Sequence, residues 1–260
     1  MTATAGALDV HLAQWLDAEP EARLTELFVA DAREPRQRAL LAIAHELHAA
    51  VFHAPDPRVA AAKLGWWMDD LAQAAQHPLV RGLLDAGAPR EVLGALREGT
   101  TPLLRLALCE SFESLAQWLD PLAQAATAFA AASAAAGSRT SAVPTRAVAA
   151  ARMLDGIRDW PRFARAERAL VPLELLARHR VDRAAAAACA PLAADLAARL
   201  GETLAEVPPP ALRGPDGARI ARAAACARRM VRRPEAWIDG SLRVPRTTLV
   251  FALWRVGRRG

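Results

Sequence analysis

Apolar residues recur along this chain at the three- and four-residue spacing of amphipathic helices, and no window alternates as a strand would. Residues 7–18 carry the stripe Leu8, Leu12, Trp15 and Leu16. Pro20 opens a second helix through Leu24, Leu27 and Phe28, and Pro35 a longer one with Leu40, Ile43, Leu47 and Val51 on one face. Pro55-Asp56-Pro57 ends it, because proline disfavours helix at itself and just before. A helix is expected from about Arg58 to Gln76, a break at His77-Pro78, and shorter helices to about Cys109. Residues 112–136 read as a long Ala-rich helix with Leu115, Trp118, Leu119, Leu122 and Phe129. Residues 137–141 are the clearest loop. The next helix runs from Pro144 to a stop at Trp160-Pro161, and another begins at Leu170-Val171-Pro172. Residues 182–205 read as helix throughout, a basic helix ends near Arg233, and the apolar run Leu249 to Trp254 closes the chain. The prediction is an all-α fold, one helical domain over residues 1–260.

Composition narrows this further. Hydrophobic residues make up 53% of 260, enough for a large core and too many for a disordered chain. Of 33 basic residues all but Lys63 are arginine, against 28 acids, a surplus of five. No basic stripe interleaved with aromatics marks a nucleic-acid surface, so no nucleic acid is expected. Cys109, Cys189 and Cys226 are far apart, odd in number and form no CxxC, so they read as small buried apolar residues in a reducing compartment. No leader-like segment and no run of roughly 20 apolar residues occurs. The expected location is cytoplasmic, at most peripheral at the inner membrane face.

Several short motifs follow one another in a telling order. Arg38-Ala39-Leu40-Leu41 heads the third helix. Leu64-Gly65-Trp66-Trp67-Met68-Asp69-Asp70-Leu71 precedes His77-Pro78-Leu79. Glu113-Ser114-Leu115 with Trp118 comes next, then Ile157-Arg158-Asp159, then Arg168, Val171-Pro172 and Leu175. This series resembles the squalene/phytoene synthase family of isoprenoid synthases over most of residues 25–180. The resemblance implies a helical bundle around a central apolar cavity that holds prenyl chains. It also implies head-to-head condensation of two prenyl diphosphates. Diphosphate leaves only when its charge is neutralised, and Mg²⁺ held by two facing pairs of aspartates does that in such a site. By the same resemblance Trp66, Trp67, Asp70, His77 and Trp118 are cavity or motif residues, and Arg158 and Arg168 would bind diphosphate.

The chain departs from that pattern where the chemistry lies. The helix that should carry the first aspartate pair has Glu46 as its only acid. His45, Glu46 and His48 lack the spacing of a zinc protease motif. At the second motif the family register puts Phe163 in place of an aspartate, while Asp155 stands one turn before Asp159. Asp155 and Asp159 are then either a shifted metal pair or ordinary acids of a partly solvated helix beside Arg152 and Arg158. Trp118 and Leu170 replace two tyrosines of the family. Losing one element of such electrostatic stabilisation slows a reaction by roughly two to three orders of magnitude.

Trp66 and Trp67 point about 100° apart on a helix, so one should enter the core and the other a seam or cavity. Asp69 and Asp70 read as solvated or arginine-paired, and His77-Pro78 as a capped helix break. The functional expectation is a non-catalytic binding or assembly protein, similar to the complex I assembly factors of this family, with a prenyl or lipid ligand or a protein as partner. The alternative is an active Mg²⁺-dependent prenyltransferase using Asp155 and Asp159 with Asp69 or Asp70. The arginine-rich segment 228–258, with Trp237, Phe251 and Trp254, suits an anionic membrane surface. Its competing reading docks Leu249, Phe251 and Trp254 into the bundle.

Overall fold

Proline sets where many of the helices begin. Its fixed φ suits the first turn, and its missing N–H is one that a helix start leaves unpaired in any case. In the computed structural model Pro20, Pro35, Pro78, Pro191, Pro215 and Pro234 all sit in the first two positions of helices. The structure describes residues 2–54, 56–73, 76–102, 110–135, 137, 143–163 and 171–259, without the side chains of 2–5, 57, 116, 159–163 and 187. Among the described residues there are thirteen α-helices and no strand, so the fold is all-α. They are α1 (Thr2–Ala18), α2 (Pro20–Phe28), α3 (Pro35–Phe52), α4 (Pro57–Gln73), α5 (Pro78–Asp85), α6 (Glu91–Thr100) and α7 (Leu115–Ala135). They continue as α8 (Thr145–Phe163), α9 (Leu173–His179), α10 (Ala190–Ala205), α11 (Gly214–Arg232), α12 (Pro234–Ile238) and α13 (Arg246–Gly257). No described helix is long and apolar enough to cross a membrane.

The stripe foreseen on α3 holds: Leu40, Ile43, Leu47 and Val51 are all buried. The centre of the fold is α8, which packs against α3, α7, α10, α11 and α12. Residues 147–157 of it are buried on every side, the mark of a core helix rather than a surface one. This corrects the expectation of a partly solvated helix. Small side chains make it possible. A Cβ on Gly156 would lie 2.3 Å from the Phe52 ring of α3, and Ala149, Ala150 and Ala151 bring no bulk either. A parallel case joins α6 to α7, where a Cβ on Gly99 would meet Ala128 at 2.2 Å.

Two further expectations change. First, α8 does not stop at Trp160-Pro161 but runs to Phe163. Pro161 has no N–H to offer the carbonyl of Ile157 one turn back. The indole Nε1 of Trp237, buried on α12, donates to that oxygen at 2.9 Å instead. A side chain from a distant helix thus supplies the donor that proline removed. Second, residues 182–205 are not one helix. Turns cover 183–185, a short 3-10 segment Ala186–Ala188 follows, and α10 starts at Ala190. An alanine run has propensity but no stripe to fix its start, and Pro191 fixes it here. The predicted 137–141 loop falls mostly outside the described residues, as do Cys109, Arg168 and Leu170. Cys226 is buried and Cys189 half-buried, and neither forms a disulfide.

Candidate functional site

The residues that carry the family resemblance fall into two places. The first is the corner between α4 and α5. Trp67 enters the core while Trp66 stays about half exposed, as their 100° separation requires. Asp69 is exposed, but Asp70 is buried, and among the described residues no arginine is paired with it. Its carboxylate accepts the backbone N–H groups of Gln76 at 2.9 Å and His77 at 3.2 Å, tying the end of α4 to the next helix. His77 caps α5: its Nδ1 accepts the N–H of Leu79 at 3.2 Å. Its ring lies 4.7 Å from that of Trp67 and 4.6 Å from that of His11 on α1. Burial, and then the neighbouring His11, push its pKa down against the pull of Asp70. Trp118 is buried on α7, and its indole N–H has no hydrogen-bond partner among the described residues.

The second place is a charged interior between α3, α8 and α11. Here α3 and α8 pack against each other, with α11 against α8. His45 and His48 come from α3, and Arg152, Asp155 and Arg158 from α8. His48 Nε2 lies 2.7 Å from the carbonyl of Arg152 and therefore carries the ring proton. The cavity beside them has a volume of about 30 Å³, room for a water rather than a prenyl diphosphate. Between α3, α7 and α8 a second, apolar gap lined by Leu47, Phe52, Leu122 and Phe129 measures only about 10 Å³.

Two groups unforeseen in the sequence complete this interior. Glu19 and Glu21 stand at the break between α1 and α2. Arg219 and Arg222 project from α11 into the same space. Arg219 reaches Asp155 at 2.7 Å. Arg222 lies 3.5 Å from Glu21 and 4.0 Å from Glu19, Arg158 lies 3.2 Å from Glu21, and His45 lies 3.5 Å from Glu19. Burial alone would raise the pKa of Glu19. The hydrogen bond from His45 and then Arg222, Arg158 and Arg219 outweigh it and hold the carboxyl far below the usual range. For Asp155 the balance is reversed: burial raises its pKa despite Arg219 and Arg158. Burial, with Arg219 beside it, pushes Arg152 down to about 9, and its guanidinium sits 4.8 Å over the Phe129 ring. Nearby, Arg38 forks onto Glu26 of α2 at 2.8 and 2.6 Å, which gives the arginine heading α3 a structural partner.

The sequence does give a spacing for the missed arginines: Arg219 and Arg222 sit three apart and so share one face of their helix. For the acids at residues 19 and 21 no such signal exists.

Among the described residues the donor set is not laid out as a magnesium site. Hard divalent cations take several oxygen ligands, and Asp155, Glu19 and Glu21 are each within 4.0 Å of a guanidinium. Among the described residues no group of three His, Cys, Asp or Glu side chains is placed to hold a metal. The Asp159 side chain lies outside the described residues.

His48 makes the interior sensitive to acid. Burial, then His53 and Arg152, lower its pKa well below 6.5 in the folded chain, while its bond to the Arg152 carbonyl opposes this. The unfolded chain therefore takes up a proton that the folded one refuses. The stability so held is complete above pH 6.5 and is lost as the pH falls below it, at up to about 1.4 kcal/mol per unit. Asp155 acts in the opposite sense, since its raised pKa lets the folded form gain protons first. Thermal melts of wild type and His48→Gln at pH 7.5 and 5.5 isolate the histidine. The variant is expected to lose less melting temperature on acidification, and equal losses would remove His48 from the account.

Compared with protein-family models, with curated proteins and with solved structures, the chain matches none of them.

Proposed function

We propose that this chain is a non-catalytic squalene/phytoene synthase-like protein that works as a binding or assembly scaffold. One observation supports the reading: guanidinium groups are paired with the carboxylates of the interior between α3, α8 and α11. Arg219 pairs with Asp155, and Arg222 and Arg158 both pair with Glu21, so these carboxylates already have cationic partners. A diphosphate entering it would have to displace arginine–carboxylate pairs. A metal would have to do so against like charge. A larger cleft of about 730 Å³ opens beside α2 against the same charged groups, lined by Glu19, Glu21 and Arg158 as well as Leu24, Leu27 and Leu242. That volume suits a lipid or prenyl chain.

The test is turnover. Purified protein with Mg²⁺ and farnesyl or geranylgeranyl diphosphate is expected to release no pyrophosphate above the blank. Consumption of substrate at a rate that Asp159→Ala abolishes would overturn the proposal and establish the active prenyltransferase instead.

A further inference from the structure

The outer face of α13 has no explanation in the fold. Its inner face is clear: Leu249, Leu253 and Val256 are buried against α2 and α11. At 100° per residue the opposite face carries Thr247, Phe251, Trp254 and Arg258 in one line. Phe251 is 57% and Trp254 41% exposed, with their rings 5.7 Å apart, and Val250 beside them is 38% exposed. This corrects the docking of all three tail residues: Leu249 enters the bundle, while the two rings point away from it. A helix apolar on both faces is ordinarily covered on both.

The charge around these rings is one-sided. Between residues 241 and 260 there are five arginines and no acid. Arg258 lies 4.9 Å over the Trp254 ring and Arg255 5.8 Å from that of Phe251, so the cations border the apolar patch. The segment brings no acid of its own, and an acid-free helix with outward Trp and Phe is the chemistry of a membrane interface. An acidic protein face would match the charge. It would not call for a tryptophan and a phenylalanine set side by side at the outermost line of the helix.

We infer that α13 is a peripheral membrane-docking helix. It inserts Phe251 and Trp254 at the headgroup level of an anionic bilayer, while Arg255 and Arg258 pair with lipid phosphates. This goes beyond the scaffold reading and does not rest on it, since a catalytic protein could dock in the same way.

Sedimentation with vesicles tests it. Vesicles of phosphatidylcholine alone are compared with vesicles holding 30% phosphatidylglycerol, at low and high salt. The full chain should bind the anionic vesicles at low salt and leave them as salt rises. Phe251→Ser with Trp254→Ser should weaken binding at least tenfold. Each of Arg255→Gln and Arg258→Gln should weaken it about fivefold. All four positions are exposed, so melting temperatures should stay within a few degrees of wild type, which separates lost docking from lost folding. No binding to anionic vesicles would overturn the inference. Equal binding to neutral vesicles, or full binding by the double serine variant, would do the same. Failure to bind vesicles with saturable binding to an acidic protein would reassign the face to a protein partner.

Discussion

Trp237→Ala is expected to cost about 3–5 kcal/mol of folding stability, a large part of the roughly 5–15 kcal/mol that a domain possesses. The ring is almost fully buried on α12, so its loss leaves a cavity. It also strands the carbonyl of Ile157, which Pro161 cannot serve. The two effects separate by substitution. Trp237→Phe keeps most of the volume and removes the donor, and it should cost about 1–3 kcal/mol for the unsatisfied oxygen. Pro161→Ala then returns a backbone N–H to the i+4 position. In the Trp237→Phe background it should recover about 1 kcal/mol or more. In wild type, where the carbonyl is already served, the gain should be smaller. Urea unfolding midpoints across the four-variant cycle give the coupling directly. A coupling of zero would show that the indole and the proline do not act on the same carbonyl.

Arg219→Ala is the second large loss, again about 3–5 kcal/mol, because it leaves the Asp155 carboxylate buried in the central helix without its closest cation. Asp155→Ala should cost a comparable amount by stranding Arg219. The pair itself is worth less than either single loss suggests. Desolvating two charges offsets much of their attraction, so Asp155→Leu combined with Arg219→Met should recover most of the stability. Acid gives an independent sign check. With Arg219 gone, the pKa of Asp155 should climb further, since burial already raises it. A raised folded-state pKa means that the folded form gains protons as the pH falls. The deficit of Arg219→Ala is therefore expected to shrink below neutral pH, in the range where Asp155 takes up its proton. Denaturant midpoints at pH 7.5 and 5.5 check it, and a deficit that grows on acidification would refute the role given to Asp155.

What could be read from the chain was local. Prolines at helix starts and the stripe on α3 depend on residues a few positions apart, and both are as expected. The helix break at His77 was legible for the same reason, since its cap reaches only to Leu79. Long-range substitutions were not. Continuation of α8 past Pro161 depends on a donor 80 residues from the carbonyl it serves. Asp70 looked like a surface acid because its partners are backbone groups, which leave no trace in side-chain patterns. The charged interior joins Glu21 to Arg158 across 137 positions, so neither could be paired from the sequence. The packing of α3 against α8 also joins residues about a hundred positions apart. Nothing local announced that α11 would send Arg219 and Arg222 into that interior.

The last helix rests on foundations of its own. Leu253 and Val256 of α13 belong to a small apolar cluster with Val29, Ala32 and Ala218, separate from the large cluster that runs from Trp15 to Leu242. Lifting α13 off would uncover a few side chains and leave the main cluster closed. Such elements open as cooperative units at a fraction of the global unfolding free energy. The chain therefore carries Phe251 and Trp254 on a segment seated on a small cluster of its own, able to change its angle to a surface while the bundle behind it stays folded.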